Sequence, residues 1–237
     1  MMMNDHIAKA FDVDLHGIAR LVAEMGGLAE KQVADSIETL ARRDVEGALR
    51  VVSADNEIDR LQRAIEEKSV LTIARRQPMA VDLRQIIGAL RISNDLERIG
   101  DLAKNISKRV DALDSRFEPP NVVRGIEHMA SMVLEQIKKV LDSYAVQDIE
   151  EAMIVWRGDQ EIDGMCTSVY RELLTYMMED PSHITFCLHL MFCAKNIERM
   201  GDHATNIAET VYYMVKGDPI ADERPKANTL TALAAGQ

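Results

Sequence analysis

Apolar residues recur along this chain at steps of three and four. Ile18, Val22, Met25, Ala29, Val33, Ile37 and Leu40 form one such stripe and predict a helix over residues 15–40. Asp44 stands where a carboxylate caps a second helix, which the pattern carries to about Arg76. Pro78 then falls where proline is best tolerated, near the first turn of a third helix. That helix continues to about Leu113, with Leu96, Ile99, Ala103, Ile106, Val110 and Leu113 as its core stripe. The run Phe117, Glu118, Pro119, Pro120 is the clearest break in the chain, because paired prolines end one helix and precede another.

After the break the pattern restarts. Met25 answers to Met129, Val33 to Ile137, Asp44 to Asp148 and Asp55 to Asp159, each 104 residues on. The offset falls to 103 at Pro78 and Pro181, then to 101 at Glu97 and Glu198, as small deletions near the second hairpin turn would produce. Asp148 is followed three residues on by Glu151, a capping-box arrangement. A repeat of this length with three helices per copy predicts an all-α chain of two tandem, pseudo-symmetric three-helix bundles, not a solenoid of short units. We expect the first bundle over residues 1–117, the second over 118–217 and a flexible tail over 218–237, where periodicity is lost.

The repeat also duplicates acids. Glu97 and Asp101 recur as Glu198 and Asp202; Asp55 and Asp59 recur as Asp159 and Asp163. Residues four apart share a helix face, so each pair sets two carboxylates side by side. In an antiparallel hairpin turning near residue 78, Asp55 is level with Asp101 and Asp59 with Glu97; the second copy pairs Asp159 with Asp202 and Asp163 with Glu198 in the same way. Four acids therefore meet at one height in each bundle. Helical rotation places Glu97 and Asp101 roughly opposite the apolar stripe, which predicts a surface groove. Such a group is either a solvated acidic face, served by Lys104, Lys108 and Arg98, or a site for hard cations. An exposed like-charge pair costs only about 0.2–0.5 kcal/mol, so repulsion alone does not require a metal. Oxygen-only donors suit magnesium, calcium, manganese or iron better than a thiolate-seeking metal, and they leave zinc open.

Composition narrows the function. Aromatics make up 4% of the 237 residues and the formal net charge is -11, which disfavours nucleic acid and anionic membrane surfaces as partners. Three cysteines without a small disulfide framework fit a reducing compartment. Neither a leader pattern nor a membrane-length apolar run is present, so we expect a soluble, cytoplasmic protein. Cys187, His189 and Cys193 read as core residues, because Cys187 and Cys193 sit on an apolar helix and have no counterparts in the first copy. His203 follows Asp202 but answers to Leu102, which gives it an auxiliary or surface role, and Trp156 and Tyr176 read as packing or turn-contact residues. No nucleophile, base and orienting group lie in credible spacing, so no catalytic residue is assigned. A di-iron carboxylate enzyme would need inward Glu-x-x-His pairs, and neither copy has them.

Taken together, Arg76-Gln77-Pro78 with Asp82-Leu83-Arg84, Glu97-Arg98-Ile99-Gly100-Asp101, Tyr176-Met177-Met178-Glu179-Asp180 and Glu198-Arg199-Met200-Gly201-Asp202 closely resemble the PhoU family over residues 11–217. That resemblance implies two three-helix bundles whose acidic motifs bind metal ions, with Asp55, Asp59, Glu97, Asp101, Asp159, Asp163, Glu198 and Asp202 as ligands; iron, manganese, magnesium or zinc would serve. It further implies a non-catalytic negative regulator of the phosphate-starvation response. Its partners would be the ATPase subunit of a phosphate ABC transporter, a sensor histidine kinase and a second copy in a homodimer, with membrane contact only through partners. A PhoU-like accessory to another phosphate transporter is the alternative reading.

Overall fold

The computed structural model describes residues 2–113, 120–222 and 224. Six long helices account for most of them: α1 (Met2–Arg42), α2 (Val45–Arg76), α3 (Ala80–Ser107), α4 (Pro120–Val146), α5 (Ile149–Glu179) and α6 (Ile184–Lys216). Among the described residues there is no strand. The first helix begins well before the expected residue 15, since no glycine or proline interrupts it earlier. α3 stops at Ser107, short of the expected Leu113, and a 3-10 turn over Val110–Ala112 completes the run. With three residues per turn, that segment keeps Val110 and Leu113 on one side, and both are buried as the apolar stripe required. Pro78 lies in the connection before Ala80, outside the first turn of α3. The break at Phe117, Glu118 and Pro119 falls outside the described residues, as does most of the expected tail; Pro120 opens α4.

Both copies make the same turn between their first two helices. Arg43 and Gln147 take left-handed backbone angles, φ 54° and 56°. The amides of Asp44 and Asp148 then bond back to the carbonyls of Thr39 and Ser143, each at 3.0 Å. The Asp44 carboxylate accepts from the Gly47 amide at 2.9 Å. That of Asp148 accepts from Glu150 and Glu151. Because the Asp148 amide is committed to Ser143, the capping box is one-sided. Replacing Asp44 with alanine should lower unfolding free energy by about 1 kcal/mol, measured by urea denaturation; an unchanged midpoint would show that the cap contributes nothing.

Within each copy the three helices pack on one another, and the copies join where α3 meets α6 and α1 meets α4. One continuous apolar core results, drawing on all six helices. Two glycines permit the approach between copies: a methyl at Gly26 would collide with Leu141, and one at Gly88 with Met214. α3 and α6 run antiparallel, as shown by Arg84 Nε donating to the Met214 carbonyl near one end and Arg109 lying 3.4 Å from His189 near the other. Between them, Asp95 of α3 is held by His203 Nδ1 at 2.8 Å and by the Asn206 amide at 3.2 Å, both from α6. His203 is therefore a clip between the bundles and takes no part in the acid cluster beside it.

Candidate functional site

The hairpin levels hold, but the acids are not all on the solvent side. Asp55 and Asp159 are buried, each 3% exposed. Asp55 occupies the inward stripe of α2 between Val51 and Ile58, and Asp159 that of α5 between Val155 and Ile162. Rotation read from α3 and α6 alone misses this, because it says nothing about which face α2 and α5 present. Gly100, between Glu97 and Asp101, leaves room for the approach: a methyl there would lie 2.9 Å from Ile58 Cδ1 and 3.4 Å from Asp55 Oδ1.

In the first cluster Lys104 bridges the two helices, its ammonium 2.5 Å from Asp55 Oδ2 and 2.9 Å from Asp101 Oδ1. The Asp55 carboxylate also accepts from the Gln32 amide at 3.1 Å. These bonds push the Lys104 pKa above the ordinary lysine range, that to Asp55 first and that to Asp101 second. Glu97 stands one turn before Asp101, with Arg98 3.4 Å from it and 3.6 Å from Asp101. Burial pushes the Glu97 carboxyl up, and the negative charges of Asp101 and Asp59 add to the shift while Arg98 opposes it. Asp101 thus touches both sides of the cluster: it shares Lys104 with Asp55, and its charge, with that of Asp59, raises Glu97.

The second cluster draws its bridging cation from another source. The position of Lys104 is taken by Thr205, whose hydroxyl makes a long 3.4 Å bond to Asp159. The cation comes from Arg224, beyond the end of α6. Its Nε and Nη2 meet the two oxygens of Asp159 at 3.1 and 3.0 Å, and Nη2 also reaches Asp202 Oδ1 at 2.7 Å. Burial raises the Glu198 carboxyl, Lys195 at 2.7 Å opposes that rise, and Asp202 and Asp163 add to it. Sequence spacing points to neither Gln32 nor Arg224 as part of a cluster. Gln32 and its counterpart Gln136 interrupt apolar stripes, which is a readable signal; Arg224 has none.

A carboxyl raised by burial stabilises the fold below the ordinary glutamate range and loses that contribution as pH rises through the shifted value. Glu97→Gln should therefore be more stable than wild type at neutral pH, with the difference closing under acid. Urea titrations at the two pH values test this; a variant weakened at neutral pH would contradict it.

The donor set is hard oxygen, and it includes a buried Gln32 carbonyl oxygen without a hydrogen-bond partner, lying against Gly100. That chemistry fits a magnesium- or manganese-like ion. Among the described residues, however, no three His, Cys, Asp or Glu side chains gather closely enough to hold one ion. Lys104 and Arg224 fill the centres, so a metal would have to displace them. The sulfur residues form no such site: Cys187 and Cys193 are buried and free, and burial pushes the Cys193 thiol up to about 12. Trp156 is buried and donates to Glu209, and Tyr176 packs on the core. No helix among the described residues is long and apolar enough to cross a membrane.

The chain matches the family model described as PhoU domain twice, over residues 22–110 and 126–211. A phosphate-specific transport system accessory protein PhoU homolog of Rhizobium meliloti is 53% identical over 232 residues, covering 98% of each chain. One from Caulobacter vibrioides is 47% identical over 229 residues, covering 97% of this chain and all of that one. The crystal structure of PhoU from Pseudomonas aeruginosa superposes with a TM-score of 0.84 at 39% identity, covering 88% of this chain and 100% of the other.

Proposed function

The chain belongs to the PhoU family, and on that premise we propose that it is a non-catalytic accessory protein of phosphate-specific transport that represses the phosphate-starvation response. The observation that carries this reading is similarity along nearly the whole chain to relatives named as accessory proteins of the phosphate-specific transport system. The protein acts by contact, joining the ATPase subunit of a phosphate ABC transporter to a sensor histidine kinase in the cytoplasm, as a homodimer. A binding partner moves a kinase between states only through different affinities for them, so the adaptor must favour the kinase's inactive form. A role without catalysis is supported by the acid clusters themselves, where Asp55, Asp101, Asp159 and Asp202 are tied to cations of the chain instead of standing free to serve as bases.

The clusters are cation sites in this reading. Asp55, Asp59, Glu97 and Asp101, and in the second copy Asp159, Asp163, Glu198 and Asp202, would exchange an internal cation for a divalent ion. Affinity purification of the tagged chain from phosphate-replete cells tests the function. Recovery of the transporter ATPase subunit with the kinase is expected. Recovery of neither contradicts the adaptor, and recovery of a different phosphate transporter's subunits without the kinase favours an accessory role there.

A further inference from the structure

From Ile184 to Ala194, α6 carries apolar residues on every side, broken only by Thr185 and His189. Phe186, Cys187, Leu190, Cys193 and Ala194 are buried in the core, whereas Ile184, Leu188 and Phe192 are 42%, 44% and 52% exposed. At ~100° per residue, Ile184, Leu188, Phe192, Lys195 and Arg199 fall within an arc of about 80°. All five are exposed, so they form one open face of α6. A helix that is apolar all round is normally covered all round, and no described part of the chain covers this face. The repeat does not account for it: on α3 the exposed large apolar residues are Val81 and Leu83, both in its first turn.

Charges of opposite sign bound the stripe. Glu179 and Asp180 precede it, and Lys195 and Arg199 follow it. Arg109 adds a cation 4.3 Å from the centre of the Phe192 ring. Acid, apolar, base is an order that complements itself when the helix is laid antiparallel on a copy of itself. A two-fold axis at Leu188 sets Ile184 of one copy against Phe192 of the other, and Lys195 of one beside Asp180 of the other. Helical side chains lean toward their own N-terminus, which carries the Arg199 guanidinium back toward Glu179 of the other copy. A parallel pairing would instead oppose like charges. An unlike partner would have to supply this same order, which the chain itself already carries.

We propose that this face of α6 is where two copies of the chain join, as an antiparallel helix pair about a two-fold axis at Leu188. The contact is isologous, each copy giving the same patch. The proposal supplies the surface for the homodimer read above and rests on that reading. Three apolar positions a side make a small interface, of the class that dissociates readily, so the dimer is reversible.

Sedimentation velocity of the full-length protein tests it from about 1 to 100 micromolar, a range that brackets a reversible contact of this size. Wild type should pass from monomer to dimer. Leu188→Glu sets two carboxylates face to face on the axis and should weaken the dimer at least about a hundredfold, with the helical signal kept because Leu188 is exposed. Arg199→Glu and Glu179→Arg should each weaken it about tenfold, and the two together in one chain should restore it; this pair decides the matter if Leu188→Glu folds poorly. A short bis-maleimide should link Leu188→Cys into dimers and leave wild type unlinked, since Cys166, Cys187 and Cys193 are buried. If Leu188→Glu dimerises as wild type does, the surface is wrong while the homodimer stands. If Leu188→Glu stays dimeric but no longer recovers the kinase or the ATPase subunit, the stripe serves that partner and the proposal is overturned. If wild type is monomeric throughout, the homodimer reading fails and this surface with it.

Discussion

Replacing Lys104 with methionine should cost the fold about 3 kcal/mol, the lower end of the range for removing one partner of a buried ion pair. Methionine keeps much of the aliphatic stem, so the loss isolates the ammonium. Asp55 would remain 3% exposed, facing Asp101 with only the Gln32 amide to compensate it. The lower end is appropriate because the Lys104 side chain retains 24% exposure and its ammonium still meets water. Its pKa is raised, so the stability it contributes is present below the ordinary lysine range and is lost only as pH climbs through the shifted value. The gap between wild type and variant in urea unfolding should therefore be flat across neutral pH and close under strong alkali. Equal midpoints at neutral pH would mean that the bridge contributes nothing.

Ile99→Ala should be comparably damaging, at about 3 kcal/mol. Ile99 is fully buried on α3, the helix that packs on both its own bundle and α6. For a chain of this size the melting temperature should drop by about 6–12 °C. The core is continuous, so the damage should not stay in the first bundle. Trp156 lies on α5 of the second bundle and is the chain's one tryptophan. Its fluorescence transition should move together with the far-ultraviolet helical signal. A Trp156 transition that stays in place would show that the bundles unfold independently.

The features legible in sequence are those set by local periodicity and by the repeat. Asp44 and Asp148 mark helix starts because a carboxylate there satisfies free amides. Hairpin arithmetic places Asp55 level with Asp101, and Lys104 bridging them shows why it works: two antiparallel helices keep their level along their whole length. Burial is misread where rotation is taken from one helix only. Asp55 and Asp159 sit at the very spacing of the apolar stripes Val51, Ile58 and Val155, Ile162, so a stripe-by-stripe count would have placed both inside.

Aligning Lys104 with Thr205 shows a missing cation, but nothing local points to Arg224, which reaches the cluster through tertiary structure and a reversal at Gly217. His203 is similarly opaque, since its partner Asp95 belongs to the other bundle. The continuity of the core across α3 and α6 also escapes the repeat, which describes each copy and not the face they share.

The central claim, that this chain holds the phosphate-starvation response off, is tested most directly by deleting its gene and following a phosphate-responsive reporter in phosphate-replete cells. The reporter should switch on, and fall again when the full-length chain is restored from a plasmid. A reporter that stays silent in the deletion strain would contradict the account.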